Sequence, residues 1–246
     1  MLIALFTDIH GNREALEACL AHAATLAIGR TVFLGDYVGY GADPGFAVDT
    51  VAAHVEQGAI AIAGNHDAAA CGVNERMNDV ATLAIEWTAR QLSAMQRDFL
   101  AGLPLTAEDG DRLYVHGSAA SPARFDYVTD ERTAGASLQA TRAEITFCGH
   151  THVPALFHLS VTGKIARFDP PSGVAIPLSP HRRWLAVIGA VGQPRDRNPA
   201  ACYGLYDDAA RTLTYVRVPY DIDAAAAKIR AAGLPPVLAT RLASGR

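Results

Sequence analysis

The chain has 246 residues, of which 50% are hydrophobic and 19% charged, a composition that excludes a disordered chain and allows a sizeable core. Its net charge of −4 argues against a general nucleic-acid binder, which would carry a basic stripe. No apolar run approaches the ~18 residues of a membrane-spanning helix, so no membrane partner is expected. We therefore expect a soluble globular protein, with residues 1–246 forming a single domain.

The four cysteines are far apart and form no Cys-x-x-Cys pair, so we interpret them as small buried side chains rather than as disulfides. The apolar N-terminal stretch is short and runs directly into Asp8 and His10, which is not typical of a signal peptide. Together these features predict a cytoplasmic location. The oligomeric state stays open, and the sequence is compatible with a homo-oligomer.

The first two thirds of the chain alternate predicted strands and helices. Short apolar runs predict strands over residues 2–7, 31–34, 59–63, 113–115 and 145–148. Apolar residues at helical spacing predict helices over residues 13–27, 44–57 and 79–100. Asn12 is a candidate cap for the first helix, and Pro44 suits the first turn of the second. This alternation predicts βαβ units and a largely parallel sheet.

The last third has short apolar runs separated by turns rich in Gly, Pro and Asp. These runs predict strands over residues 153–159, 164–168, 184–188, 202–206 and 213–218. They favour a second, more antiparallel sheet, and a final helix is predicted over residues 221–232. Because no linker is long enough to mark a domain boundary, we predict an α/β fold in which two sheets pack together.

Side chains able to bind a metal follow five of the predicted strands. In chain order these segments are Asp8-Ile9-His10, Gly35-Asp36, Gly64-Asn65-His66-Asp67, His116-Gly117 and Gly149-His150-Thr151-His152. In open α/β sheets, ligands bind outside the carboxyl ends of the strands. We therefore expect the five segments to converge at one edge, where the neighbouring glycines permit tight turns.

The residue types indicate the kind of ion. Carboxylate, imidazole and amide oxygen together suit divalent ions such as Mn, Fe, Co, Ni or Zn. No cysteine lies among them, which disfavours a structural zinc site. One metal with an open position needs about three protein ligands. Seven ligands drawn from the side chains at these strand ends would be enough for two metal ions if one carboxylate bridges them.

The order of the five segments resembles the signature of the calcineurin-like metallophosphoesterases over residues 1–154. Residues 191–196, Val-Gly-Gln-Pro-Arg-Asp, are similar to the small bacterial single-domain, phosphodiesterase-like branch of that family. The resemblance implies a four-layer α/β/β/α sandwich of two mixed sheets flanked by helices. It implies a first metal held by Asp8, His10, Asp36 and His152. It implies a second metal held by Asp36, Asn65, His116 and His150.

The same resemblance implies a metal-dependent hydrolase of phosphate esters, either diesters or monoesters, with a small phosphorylated substrate. A hydroxide that bridges two ions ~3.5–4 Å apart, Mn²⁺ for example, would attack phosphorus in line with the leaving group. His66 would protonate the leaving oxygen or stabilise charge on it, and Asp67 would orient His66. Substrate contacts are expected from His66 itself and from Asn65, Tyr37, Tyr40 and Arg195.

Three alternatives stay open from the sequence. A protein Ser/Thr phosphatase and a dinucleoside-polyphosphate hydrolase belong to the same enzyme class, but those relatives usually follow Asn-His with Glu, where this chain has Asp67. A non-catalytic interaction scaffold of the same fold is disfavoured because every expected ligand is present. One departure is residues 187–190, Val-Ile-Gly-Ala, where the bacterial relatives usually carry Asn and Ser around the glycine.

Overall fold

Two six-stranded mixed sheets pack face to face, and helices cover the outer face of each sheet. This arrangement was obtained as a computed structural model that describes residues 1–73 and 77–246. The strand order is β3-β2-β1-β11-β12-β9 in the first sheet and β4-β5-β6-β10-β7-β8 in the second, with the strand bounds given below. The expected four-layer α/β/β/α sandwich is confirmed.

The described residues form the following elements. The strands are β1 Leu2–Phe6, β2 Ile28–Phe33, β3 Ile60–Ala61, β4 Thr106–Asp109, β5 Arg112–Val115, β6 Ile145–Cys148, β7 Ala155–Ser160, β8 Ile165–Phe168, β9 Ile176–Pro177, β10 Arg182–Val187, β11 Ala201–Asp207 and β12 Thr212–Val218. The α-helices are α1 Arg13–Ala24, α2 Pro44–Glu56, α3 Asn65–Ala70, α4 Asp79–Gln91, α5 Ala94–Ala101, α6 Glu131–Gln139, α7 Ile222–Ala231 and α8 Pro236–Ser244.

Strand β1 shows why the strands form two-sided buried layers. Ile3 and Leu5 belong to the core between the two sheets, whereas Ala4 and Phe6 belong to the core beneath α1 and α2. Successive side chains of a strand point to opposite faces, so a continuous apolar run places one face against each layer. The same alternation occurs in β10, where Trp184 and Ala186 face the first sheet and Leu185 faces the α6 layer.

The strands of the last third do not form a sheet of their own, so that part of the sequence prediction is wrong. β9, β11 and β12 extend the first sheet, in which β11 pairs antiparallel with β1. β7, β8 and β10 extend the second sheet, in which β10 pairs parallel with β6. Hydrophobic spacing identifies a strand but does not specify its partner, because pairing depends on contacts distant in sequence.

The long helix predicted over residues 79–100 is two helices, α4 and α5. Leu92 between them is extended, with φ −76° and ψ 134°. Ser93 then caps α5: its hydroxyl accepts from the Gln96 backbone N–H, and the Gln96 side chain accepts from the Ser93 N–H. A Ser-x-x-Gln pair of this kind is a helix start signal, so the sequence itself indicates the break between the two helices.

Several short elements were not predicted, among them β4, β9, α3, α6 and α8. The most consequential is α8, which forms a C-terminal hairpin with α7 and begins with Pro236 in its first turn. Across residues 1–73 and 77–246, no helix combines the length and apolar character needed to cross a bilayer.

Candidate metal centre

The predicted ligands meet where the C-terminal ends of parallel strands from both sheets come together. The first sheet supplies Asp8 and His10 after β1, Asp36 after β2, and Asn65 and His66 in the first turn of α3 after β3. The second sheet supplies His116 after β5 and then His150 and His152 after β6. The site therefore lies at the meeting edge of two sheets, rather than at the edge of a single one.

The histidine and aspartate side chains form three overlapping groups. Within each group, one ligand atom per residue lies within 4.8 Å of the others, and every member is buried. The groups are Asp8, His10 and His152; His10, Asp36 and His66; and Asp36, His116 and His150. Because Asp36 belongs to two groups and His10 to two, the cluster is continuous.

Individual distances place Asp36 at the middle of this cluster. Its Oδ2 lies 3.3 Å from His116 Nε2 and 3.7 Å from His10 Nε2. On one side, His152 Nε2 is 3.2 Å from Asp8 Oδ1. On the other side, His116 Nε2 is 3.1 Å from the Nδ1 of His150. Such a carboxylate is positioned to be shared by ions on both sides.

Five of these side chains are presented by backbone in the left-handed region. The φ angles are between 51° and 67° at Asp8, His10, Asp36, His150 and His152. Non-glycine residues adopt this region only at a cost of order 1–3 kcal/mol each, and they cluster at functional sites. Backbone hydrogen bonds hold the two first loops together: the Asp8 N–H donates to Gly35 and the His10 N–H to Asp36.

Two glycines allow these loops to approach one another. A Cβ at Gly64 would overlap the Asp36 carboxylate, and a Cβ at Gly149 would overlap the Thr7 hydroxyl and the Asp8 carboxylate. The predicted role of glycine beside the ligands is thus realised as close approach of the backbone to the neighbouring ligand.

Three imidazoles are fixed by backbone carbonyls on the side away from the cluster. Their Nδ1–H groups donate over 2.6–3.0 Å, and the pairs are His10 with Val38 O, His116 with Leu34 O, and His152 with Gln193 O. In the neutral ring, a hydrogen bond of this kind selects the tautomer that leaves Nε2 without a proton, which is the form that binds metals.

Four buried polar atoms in the cluster have no hydrogen-bond partner among the described residues: Asp8 Oδ1, Asp36 Oδ2, Asn65 Oδ1 and His66 Nδ1. The second oxygen of each carboxylate is satisfied, since Asp8 Oδ2 accepts from Thr7 Oγ1 and Asp36 Oδ1 accepts from the His66 N–H. Leaving such an atom unpaired costs about 1–3 kcal/mol. Unpaired oxygens of this kind, together with the Nε2 atoms that face the cluster, fit divalent metal ions as the missing partners.

Burial and neighbouring charges shift the pKa values of the groups in the cluster. Burial lowers the pKa of four imidazoles and keeps them neutral: His66 to about 4, His150 to about 3, and His10 and His152 in the same direction. Burial acts to raise the pKa of Asp36, but the neighbouring histidines, His116 first, outweigh it and keep the group ionised. Burial likewise opposes protonation of His116, yet Asp36 raises its pKa to about 9.

Asp67 does not make the predicted contact with the His66 ring. Its carboxylate accepts backbone N–H groups of Asp36 at 2.8 Å, Tyr37 at 2.9 Å and Gly64 at 2.9 Å. Those donors, with a longer one from Val38, occupy both of its oxygens. Asp67 therefore ties the Asp36 loop to the start of α3 and acts on His66 only through the backbone. Burial raises its pKa to about 7.

Of the two tyrosines predicted to contact substrate, only Tyr40 lies at the cluster. Tyr37 is fully buried, and its hydroxyl donates to Ile62 O at 2.6 Å, so it is a core residue. Tyr40 lies at the cluster, with ring centroids 4.5 Å from His10 and 4.6 Å from His66. The guanidinium carbon of Arg195 is 5.5 Å from the Tyr40 centroid, which places Arg195 at the site as predicted.

Tyr127 is a site residue that the sequence did not indicate. Its ring stacks on His150 with centroids 3.9 Å apart and an interplanar angle of 12°, and about half of the residue is exposed. A cavity of about 360 Å³ adjoins it, lined by Tyr127, Val128, Thr129, Thr151, Val153, Ala155 and Arg167. No motif surrounds Tyr127 in the sequence, so only the tertiary contact reveals it.

Residues 187–190, which lack the polar groups of the bacterial relatives, are buried at the end of β10. Ile188 belongs to the core between the sheets, and Gly189 has a φ of 104° and faces Pro154 and Cys202. In this chain residues 187–190 therefore belong to the buried core.

A two-sheet α/β/β/α sandwich with a buried His/Asp cluster at its strand ends defines a metallophosphoesterase type of protein. Residues 1–209 match the family model of the calcineurin-like phosphoesterase superfamily domain. The chain therefore belongs to this superfamily, which confirms the resemblance seen in the sequence. Members generally bind divalent metals, and membership supports a phosphoester hydrolase.

Individual relatives extend this similarity over the whole chain. An uncharacterized protein of Methanocaldococcus jannaschii, MJ0912, is 32% identical over 256 residues, covering 100% of this chain and 98% of that protein. The crystal structure of a metallophosphoesterase from Sphaerobacter thermophilus has a TM-score of 0.87 and 37% identity, covering 100% of this chain and 99% of the other. The hypothetical protein PH1004 from Pyrococcus horikoshii OT3 shares the fold, with a TM-score of 0.79, 18% identity and coverage of 100% and 98%.

Proposed function

We propose that this protein hydrolyses a phosphate ester of a small molecule with the help of two divalent metal ions. The single observation that carries the proposal is the pair of ligand groups on either side of Asp36, whose Oδ2 is buried without a hydrogen-bond partner. One group has Asp8, His10 and His152, and the other has His116 and His150.

The ligands divide between the ions according to these groups. Asp8, His10, Asp36 and His152 would hold the first ion. Asp36, Asn65, His116 and His150 would hold the second, with the unpaired Asn65 Oδ1 completing the set. When bound, such ions activate water as a nucleophile and offset charge on phosphate oxygens.

The chain's own residues then position and protonate the substrate. His66 is buried beside His10 and Tyr40. Burial lowers the pKa of its ring, and Asp36 acts in the opposite direction. A phosphate anion bound beside the ring would act in the same direction as Asp36 and favour the protonated form, which can donate a proton to the leaving oxygen. The Tyr40 ring lies beside His10 and His66, and the Tyr127 ring stacks on His150, so an aromatic ring flanks the cluster on each side.

Metal analysis combined with a turnover assay tests the proposal. Purified protein loaded with Mn²⁺ should bind two equivalents of metal and hydrolyse bis(p-nitrophenyl) phosphate or p-nitrophenyl phosphate. Asp36→Asn should lower the affinity for both ions together, because Asp36 is the ligand shared by the two groups. Asp223→Asn, on the exposed side of α7, is the matched control and should behave as the wild type.

Two results would contradict the proposal. One is the absence of turnover on both aryl phosphates by protein that holds two equivalents of metal. The other is an Asp36→Asn variant that loses one ion and keeps the second at wild-type affinity, which would remove the shared ligand.

A further inference from the structure

Two arginine side chains converge next to the metal centre. Arg195 Nη2 and Arg241 Nη1 donate to the same acceptor, Gln193 Oε1, over 2.9 Å and 3.1 Å. Arg195 lies two residues after Gln193, whereas Arg241 lies on α8, beyond residue 209 where the family match ends. The C-terminal hairpin therefore contributes a charged side chain to this region of the molecule.

The pair is joined to the metal centre by direct contacts. The backbone N–H of Arg195 donates to His152 O at 3.1 Å, and Gln193 O accepts from His152 Nδ1 at 2.6 Å. The Arg195 guanidinium lies over the Tyr40 ring, which in turn contacts His10 and His66. A ligand bound to the cluster would therefore lie beside Arg195, and Arg241 shares the Gln193 acceptor with Arg195.

The two guanidinium groups are held together without a carboxylate from residues 1–73 or 77–246. No ion pair joins either of them to an aspartate or glutamate of those residues, and both Nε atoms are buried without an acceptor. Nearby Arg217, in contrast, is paired with Asp196. Burial lowers the pKa of Arg241 and the charge of Arg195 lowers it further, which reflects the repulsion between the two cations.

We propose that Arg195 and Arg241 bind an anionic group of the substrate and make the enzyme selective for substrates that carry at least two negative charges. Guanidinium groups match phosphate oxygens in bidentate geometry, and an anion between two of them removes their repulsion. The substrate class is then a phosphomonoester dianion, or a phosphodiester whose alcohol carries a second phosphate. This inference rests on the proposed phosphoesterase function.

Steady-state kinetics of the Mn²⁺-loaded Arg241→Met variant test the selectivity. The kcat/KM for p-nitrophenyl phosphate, a dianion, should fall about 10-fold or more, as expected for losing a hydrogen bond to a charged group. The kcat/KM for bis(p-nitrophenyl) phosphate, a monoanion, should fall much less. Arg230→Met is the matched control, since it removes an exposed arginine from the same hairpin and should leave both values unchanged.

A third substrate distinguishes the two sources of the second charge. It is a p-nitrophenyl phosphodiester whose alcohol carries a further phosphate. If Arg241→Met slows this diester as strongly as the monoester, the pair accepts the additional phosphate of the diester as well as the scissile dianion of the monoester. If only the monoester is slowed, the pair binds the scissile group itself. Either result supports the proposal, whereas an equal loss on all three substrates, or no loss on any, overturns it.

Calorimetric binding of inorganic phosphate to the metal-loaded protein gives a readout that does not need turnover. The affinity should fall about 10-fold in Arg241→Met and stay unchanged in Arg230→Met. Arg195→Met, on a loop instead of a helix, should reproduce the loss and keeps the test decisive if Arg241→Met destabilises α8. Wild-type protein that binds phosphate through this pair and hydrolyses none of the three esters would refute the proposed function but not the anion site. Unchanged phosphate affinity in both methionine variants would refute the anion site.

Discussion

At the scale of single residues, the candidate metal centre combines strained backbone with side chains whose possible ligand atoms face one another. The predicted ligands Asp8, His10 and Asp36 have a left-handed φ, a conformation that glycine adopts with little strain. Glycine has no side chain and could not bind a metal at these positions. Each fixed imidazole has its Nδ1 satisfied by a backbone carbonyl, and its Nε2 faces a ring nitrogen of another cluster histidine. Metal ions would give the unpaired atoms their partners, and their binding would offset the cost of the strained backbone.

The His66→Gln variant tests whether His66 is a metal ligand or a proton donor. We expect His66→Gln to lower kcat about 10²-fold or more, the usual contribution of a general acid, while two equivalents of Mn²⁺ still bind. Metal content by atomic emission and turnover of p-nitrophenyl phosphate are measured on the same sample. Loss of an ion would instead make His66 a ligand, which its proximity to His10 and Asp36 allows. Unchanged turnover would remove it from the mechanism.

The Asp67→Asn variant tests whether the Asp67 carboxylate stabilises the fold through its backbone hydrogen bonds. In Asp67→Asn, an amide NH₂ replaces an oxygen that accepts backbone N–H groups from the Asp36 loop and α3, so at least one buried donor loses its acceptor. We expect the free energy of unfolding of metal-free protein to fall by about 2–4 kcal/mol. Urea unfolding measures this, with the exposed Asp223→Asn as control. A variant as stable as the wild type but inactive would point to a direct catalytic role.

At the scale of secondary structure elements, local signals determine where helices begin. Asn12 caps α1 as predicted, since its Oδ1 accepts from the Ala15 N–H at 3.1 Å. The equivalent signal at Ser93 marks the start of α5, where the apolar spacing alone suggested a continuous helix. Capping residues compete with hydrophobic periodicity, and here the cap determines the boundary.

Removal of the Ser93 cap gives a prediction for this element. We expect Ser93→Ala to lower the free energy of unfolding by about 1 kcal/mol, the typical cost of losing a side-chain cap. Equilibrium urea unfolding measures the change, and Ser172→Ala, at an exposed serine, is the comparison. A difference indistinguishable from that of Ser172→Ala would show that α5 is held by packing alone.

At the scale of the whole molecule, the candidate metal centre draws its side chains from both sheets. Asp8, His10 and Asp36 extend from the first sheet, and His116 and His150 extend from the second. Ions bound by both sets of ligands would connect the two halves of the sandwich. Metal binding should therefore stabilise the fold as a whole and not only the loops.

Thermal unfolding with and without metal tests this connection. A ligand at 100 times its Kd stabilises the native state by about 2.7 kcal/mol, so Mn²⁺ should raise the unfolding midpoint and a chelator should reverse the rise. Asp36→Asn should respond much less, because it loses the ligand shared by the two groups. A wild-type midpoint that is independent of metal would contradict binding at this site.

The sequence alone was sufficient for the order of the predicted ligands along the chain and for the strands that precede them. These features are local: an apolar run predicts a strand, and the residues after it occupy the strand's carboxyl end. Only the tertiary structure decided which sheet each late strand joins, that Tyr37 is core, that Asp67 binds backbone, and that Tyr127 and Arg241 reach the site. Those outcomes depend on contacts between residues far apart in the chain, as for His10 and His152, which are 142 positions apart, and side-chain spacing carries no information about such pairs.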